Sequence, residues 1–168
     1  MENYIQLGKS ENLKLGIKDD KGEPTGEYLE FNLEDIELPL RYQEMIEADK
    51  KNKNWIKNQL VIIDKREDVK GKKLMSKNEE DKIKAFNEFY KKEVEIYNMF
   101  LGKNGVQKLL NGQPITWTSL QAIDEIIENQ IIKYIDFDMK RITDKIKTKY
   151  GKSAKKDEDV LRWNIQNM

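Results

Sequence analysis

The stretch Tyr97–Gln121, YNMFLGKNGVQKLLNGQPITWTSLQ, restricts the possible folds more than any other part of the chain. It gathers glycines and capping residues between two long amphipathic patterns, so the chain must turn there twice in quick succession. Gly102 is placed to close one helix, because a glycine just past the last periodic residue adopts a left-handed conformation without a Cβ penalty. Gly105 then opens a short helix ending near Gly112, and Thr118 with Gln121 has the spacing of a capping box that starts the last helix. Long helices joined through a short one make a helical bundle the expected core.

The helix entering this stretch is expected to start at Ser76, whose spacing to Glu79 is another capping box. Ile83, Phe86, Tyr90, Val94, Tyr97 and Leu101 follow at spacings of three and four, and Phe89, Ile96 and Phe100 widen the stripe. So wide a face suits a helix covered on more than one side. Earlier, Pro39 fits an early helical position, and Tyr42, Met45, Ile46, Trp55, Ile56, Leu60 and Ile63 form a stripe interrupted by polar Asp49–Asn54. That interruption leaves one helix or two open. Val61, Ile62 and Ile63 are β-branched, with helix preferred over strand. Asp68–Lys77, with Gly71 and its neighbouring lysines, reads as the internal loop.

Near the start, NLKLGI and EYLEF are short β-like runs separated by DDKGEPTG, which predicts a β-hairpin over about 12–31. Leu13, Leu15 and Ile17 alternate on one strand, while Tyr28, Leu29 and Phe31 supply the other. A lone hairpin is marginal in water, so its apolar face is expected on helices and its edge is the first candidate for assembly. Asn32 is placed to cap the turn that follows. At the other end, a helix from Ser119 to Tyr150 would be about 48 Å long if unbroken. Its stripe shifts face after Tyr134, from Leu120, Ile123, Ile127 and Ile131 to Ile135, Met139, Ile142 and Ile146, which predicts a projection or kink. The fold class expected is mainly α: a helical bundle with an N-terminal β-hairpin and a long C-terminal helix, forming one domain over 1–151 with a flexible tail at 152–168. That tail ends in Val160, Leu161, Trp163 and Ile165.

Composition narrows function by exclusion. Neither cysteine nor histidine occurs, which removes disulfides, thiolate and imidazole metal ligands, cysteine nucleophiles and any imidazole base. Lys and Arg number 31, as do Asp and Glu, so no global charge favours nucleic acid or an anionic membrane. Charged residues reach 37% against 38% hydrophobic, a modest apolar supply that self-association would complete. No segment approaches the roughly 20 apolar residues of a membrane span, and no leader pattern opens the chain, so a cytosolic location is expected.

Individual clusters point the same way. Asp124, Glu125 and Glu128, then Asp136 and Asp138, form groups that could in principle hold Mg2+, but Asp124 with Glu128 is the ordinary spacing of a solvated helix face. Lys140–Lys156 is strongly basic, and its place at a helix end followed by Asp157, Glu158 and Asp159 favours a capping and solubility role over phosphate binding. FLGKNG lacks the strand before it and the Gly-Lys-Ser/Thr ending of a phosphate loop. Trp55, Trp117 and Trp163 read as core or interface anchors.

Two blocks carry a resemblance. EYLEFNLEDIELPLRYQEMIEA and YNMFLGKNGVQKLLNGQPITWTSLQAIDEII resemble the tail assembly chaperone-like proteins, small proteins encoded near the tail tube and tape-measure genes of long-tailed phages and prophages. The first block is similar to their strand ending in an aromatic residue, acidic helix start and apolar helix; the second, to their glycine-punctuated segment and following helix. The likeness spans about Tyr28–Ile135. The long hairpin, the basic extension of the last helix and the hydrophobic tail depart from it. The resemblance implies no enzyme activity, no cofactor and no metal. It implies binding of the tape-measure protein, with tail tube subunits as a further client, in the host bacterial cytoplasm, and self-association into an oligomer. The interaction residues expected are Tyr97, Phe100, Leu101 and Trp117. The alternatives are a structural component retained in the phage particle, or a DNA-binding phage regulator using the basic C-terminal helix.

Overall fold

The computed structural model describes residues 3–7, 12–135, 143–144 and 146–149 of the 168. Met1–Ile135 forms one compact unit and Asp136–Met168 a second. In the second, residues 143–144 and 146–149 are helical. The expected domain end at Gly151, most of the basic run and the tail at 152–168 lie outside the described residues.

The first unit opens with strands β1 (Asn12–Lys18) and β2 (Pro24–Asn32), paired antiparallel with Leu13 opposite Phe31 and Leu15 opposite Leu29. Asp19 builds the turn: its carboxylate accepts the backbone N–H groups of Lys21 at 2.9 Å and Glu23 at 2.8 Å. Ile17, Leu29 and Phe31 are buried on the inner face. Tyr28 departs from the sequence expectation. A strand alternates faces, so Tyr28, opposite Gly16, points outward, where the Lys14 ammonium lies 3.7 Å from its ring centroid. The inner face packs on helices as expected, with Phe31 and Phe100 rings 5.4 Å apart.

The helices follow. α1 (Leu38–Asp64) and α2 (Lys77–Leu101) pack against each other, α3 (Gly105–Leu110) lies beside α2 and β2, and α4 (Trp117–Ile126) leads into a π turn (Ile127–Ile131) and a 3-10 turn (Ile132–Tyr134). α1 is one continuous helix through Asp49–Asn54, which resolves the open alternative, and Val61–Ile63 are helical within it. Ser76 and Glu79 make the expected capping box. Asn78, buried at the start of α2, donates to the carbonyls of Ile63 at 3.1 Å and Arg66 at 3.3 Å, tying the start of α2 to the end of α1.

The central stretch behaves as its glycines predict. Gly102 ends α2 with φ +89°, and α3 runs from Gly105 to a left-handed Asn111. Gly105 is glycine for a different reason: a Cβ there would sit 2.5 Å from the Cβ of Leu101. The capping box of α4 is a correction. Its members are Thr116 and Ser119, with Thr118 already inside the helix, because the serine hydroxyl reaches back to the Thr116 N–H at 2.7 Å, the part a Glu or Gln usually plays. The long last helix is also interrupted, since Ile135 is extended at φ −98° and ψ 112°. The break falls where the apolar stripe shifts face. Among the described residues no helix is long and apolar enough to cross a membrane.

Candidate functional site

The four residues expected to meet partners divide into two environments. Tyr97, Phe100 and Leu101 come together in the interior, none more than 3% exposed. Phe100 sits between Phe31 and Tyr42, the latter edge-on with ring centroids 5.2 Å apart. These three residues fasten the hairpin, α1 and α2 together. Trp117, at the first position of α4, is instead 47% exposed.

Around Tyr97 the structure assembles a polar cluster from three helices. The Tyr97 hydroxyl donates to Asp124 on α4 and lies 3.4 Å from Asp49 on α1. Lys53, one turn beyond Asp49, reaches Asp49 at 3.0 Å and Asp124 at 3.4 Å. Asn52 donates to the Phe89 carbonyl at 3.1 Å and to Glu93 Oε1 at 2.6 Å. This explains why α1 does not break at its polar segment: Asp49, Asn52 and Lys53 face inward and find partners on α2 and α4. It also corrects the reading of Asp124 as part of a solvated face. Helical spacing identifies a face but not what lies opposite it.

Glu93 is the most unusual member. It is fully buried, and its Oε2 has no hydrogen-bond partner. Burial, reinforced by the Asp49 carboxylate, pushes its carboxyl up to about 8, only partly opposed by the Asn52 hydrogen bond and by Lys53. The Asp49 carboxylate disfavours a second negative charge beside it, so the proton is held on Glu93. Burial alone would lower the Lys53 ammonium, but Asp49 and Asp124 outweigh it and raise the lysine. Tyr97 is raised, first by burial and then by its bond to Asp124, so it stays a neutral donor. A cavity of about 220 Å³ adjoins the cluster between Tyr42, Met45 and Glu128. Among the described residues no group of three or more acidic side chains is arranged to hold a metal ion.

A second feature lies on the outer side of α2. Ile83, Phe86 and Tyr90 recur at i, i+3 and i+7, which puts them on one face. Ile83 is 47% exposed, and Phe86 and Tyr90 are half-buried. The rings continue from Phe86 to Tyr90 at 6.0 Å, Tyr90 to Phe89 at 5.3 Å and Phe89 to Trp117 at 6.4 Å. The residues that only widened the stripe in sequence, Phe89, Ile96 and Phe100, are the deeper ones. The result is an apolar strip of Ile83, Phe86 and Tyr90, joined to exposed Trp117 through the buried Phe89 ring.

Sequence reasoning singled out Trp117, which the structure leaves 47% exposed, and did not single out Asp49, Asn52, Lys53 or Glu93. The signal was present. Glu93 is four residues from both Phe89 and Tyr97, and Asp49 is four from Met45, so each interrupts a buried helical stripe. Comparison of the chain with protein-family models, curated proteins and solved structures finds no match.

Proposed function

We propose that this chain is a non-enzymatic tail assembly chaperone of a long-tailed phage or prophage, binding the tape-measure protein and, secondarily, tail tube subunits, and associating with itself. The observation that carries the reading is the strip of Ile83, Phe86 and Tyr90, with Trp117 joined to it. Its i, i+3, i+7 spacing suits a groove-and-ridge contact with another helix, and a tape-measure protein is a long helical chain. A half-exposed tryptophan at one end supplies the anchor that such interfaces use. The polar cluster supports the same reading, because Asp49, Asp124, Lys53 and Tyr97 bond to one another in holding three helices together.

Co-expression with tape-measure fragments tests this. The two should copurify, and Trp117→Ala should weaken the complex at least about tenfold while leaving the circular dichroism spectrum unchanged. Clean separation of the parent protein from every fragment overturns the proposal.

A further inference from the structure

The strongest unpartnered surface lies away from the α2 strip and shares no residue with it. A groove of about 560 Å³ runs beside β1, and five consecutive residues of that strand, Lys14–Lys18, line it. Consecutive residues of a strand point to opposite faces, so five in a row means that the backbone edge itself borders the groove. Among the described residues β1 pairs only with β2, leaving this edge open. Beneath the edge the floor is apolar, formed by Leu29, Leu109, Ile126 and Ile131.

The same chain carries a segment that fits. Residues 3–7, Asn-Tyr-Ile-Gln-Leu, belong to neither strand nor helix, with Ile5 100% and Leu7 92% exposed. Ile5 and Leu7 are two apart, so an extended arm presents both on one face. Five extended residues span roughly 17 Å, the length of the five-residue edge. Charge does not oppose it, since residues 3–7 carry no charged side chain.

With the turn confined to residues 8–11, ahead of the first paired residue Asn12, the arm of the same chain meets this edge out of register. Only residues 8–11 separate it from β1. Folding straight back would pair Leu7 with Asn12 and Ile5 with Lys14, turning both apolar side chains to the outer face, away from Leu13, Leu15 and Ile17. An arm arriving from another molecule has no such restriction of register. We propose that residues 3–7 of one copy seat as an added strand along β1 of a second copy, with Ile5 and Leu7 turned into the groove. This gives the self-association proposed above a site, and it stands or falls independently of any tape-measure partner.

Because the chain has no cysteine, single-cysteine variants report the contact directly. Ile5→Cys and Gln130→Cys, the latter an exposed groove residue, are mixed and oxidised at equal concentration. The expected product is a disulfide-linked pair holding one chain of each kind. A chain carrying both cysteines that closes only on itself overturns the proposal, as does the absence of any mixed pair. In parallel, sedimentation of the unaltered protein should show a dimer, and Ile5→Asp with Leu7→Asp should weaken it at least about tenfold with an unchanged circular dichroism spectrum. A parent protein that stays monomeric, or a dimer indifferent to the arm charges, overturns the proposal. Capture of tape-measure fragments by a monomeric parent would leave the chaperone reading standing and remove only this one.

Discussion

Glu93 shows how one side chain can make stability depend on pH. In the unfolded chain its carboxyl titrates near 4.5, and in the folded protein near 8. Between those values the folded state keeps a proton that the unfolded chain has released. The stabilisation is therefore fully present below the lower value and is lost as pH rises toward the upper, at no more than about 1.4 kcal/mol per pH unit. Glu93→Gln should abolish this slope, because an amide does not titrate and can still accept from Asn52; urea unfolding from about pH 5 to about pH 9 measures it. An unaltered slope would mean that Glu93 is not the group responsible. Tyr97→Phe should cost about 1–3 kcal/mol by leaving Asp124 and Asp49 without a phenolic donor, with the slope retained. At this scale the sequence was half legible. Tyr97 was expected to meet a partner protein, but it lies buried in the interior, and its hydrogen-bond partners come from positions 48 and 27 residues away, which no local pattern reveals.

Elements were more legible, because the signals that start and stop helices act within a few residues. The Ser76–Glu79 box, the Gly102 stop and the short helix after Gly105 follow from local hydrogen bonding and φ preference. Ser76→Ala should cost about 1 kcal/mol, read from denaturant midpoints. Gly105→Ala should cost about 1–3 kcal/mol because its Cβ meets Leu101. At Gly16 an added methyl would meet nothing within 4 Å, so Gly16→Ala in β1 is the control and should change stability far less. Equal effects of the two substitutions would show that crowding against Leu101 is not the reason for glycine at 105. The α4 cap was misplaced by two residues because the preceding threonine paired with a serine, a less distinctive partner. The unbroken α1 had no local signature, since polar residues in a helix look the same whether water or another helix faces them.

For the whole molecule, the hairpin and the bundle depend on each other through the contact of Phe31 with Phe100 and of Phe100 with Tyr42. Phe31→Ala should cost about 3–5 kcal/mol, and hydrogen exchange should show the β1 and β2 amides losing protection ahead of those in α1 and α2. Simultaneous loss would indicate that the hairpin is not held chiefly by this contact. The sequence alone determined the class of fold, a helical bundle carrying a β-hairpin, because periods of two and 3.6 and the residues that cap them are local properties. Only the tertiary structure decided which polar residues turn inward, which side of α2 stays open and which strand edge is left unpaired. Those outcomes depend on the element that happens to lie opposite, and burial is a relation between distant segments that a single segment does not encode.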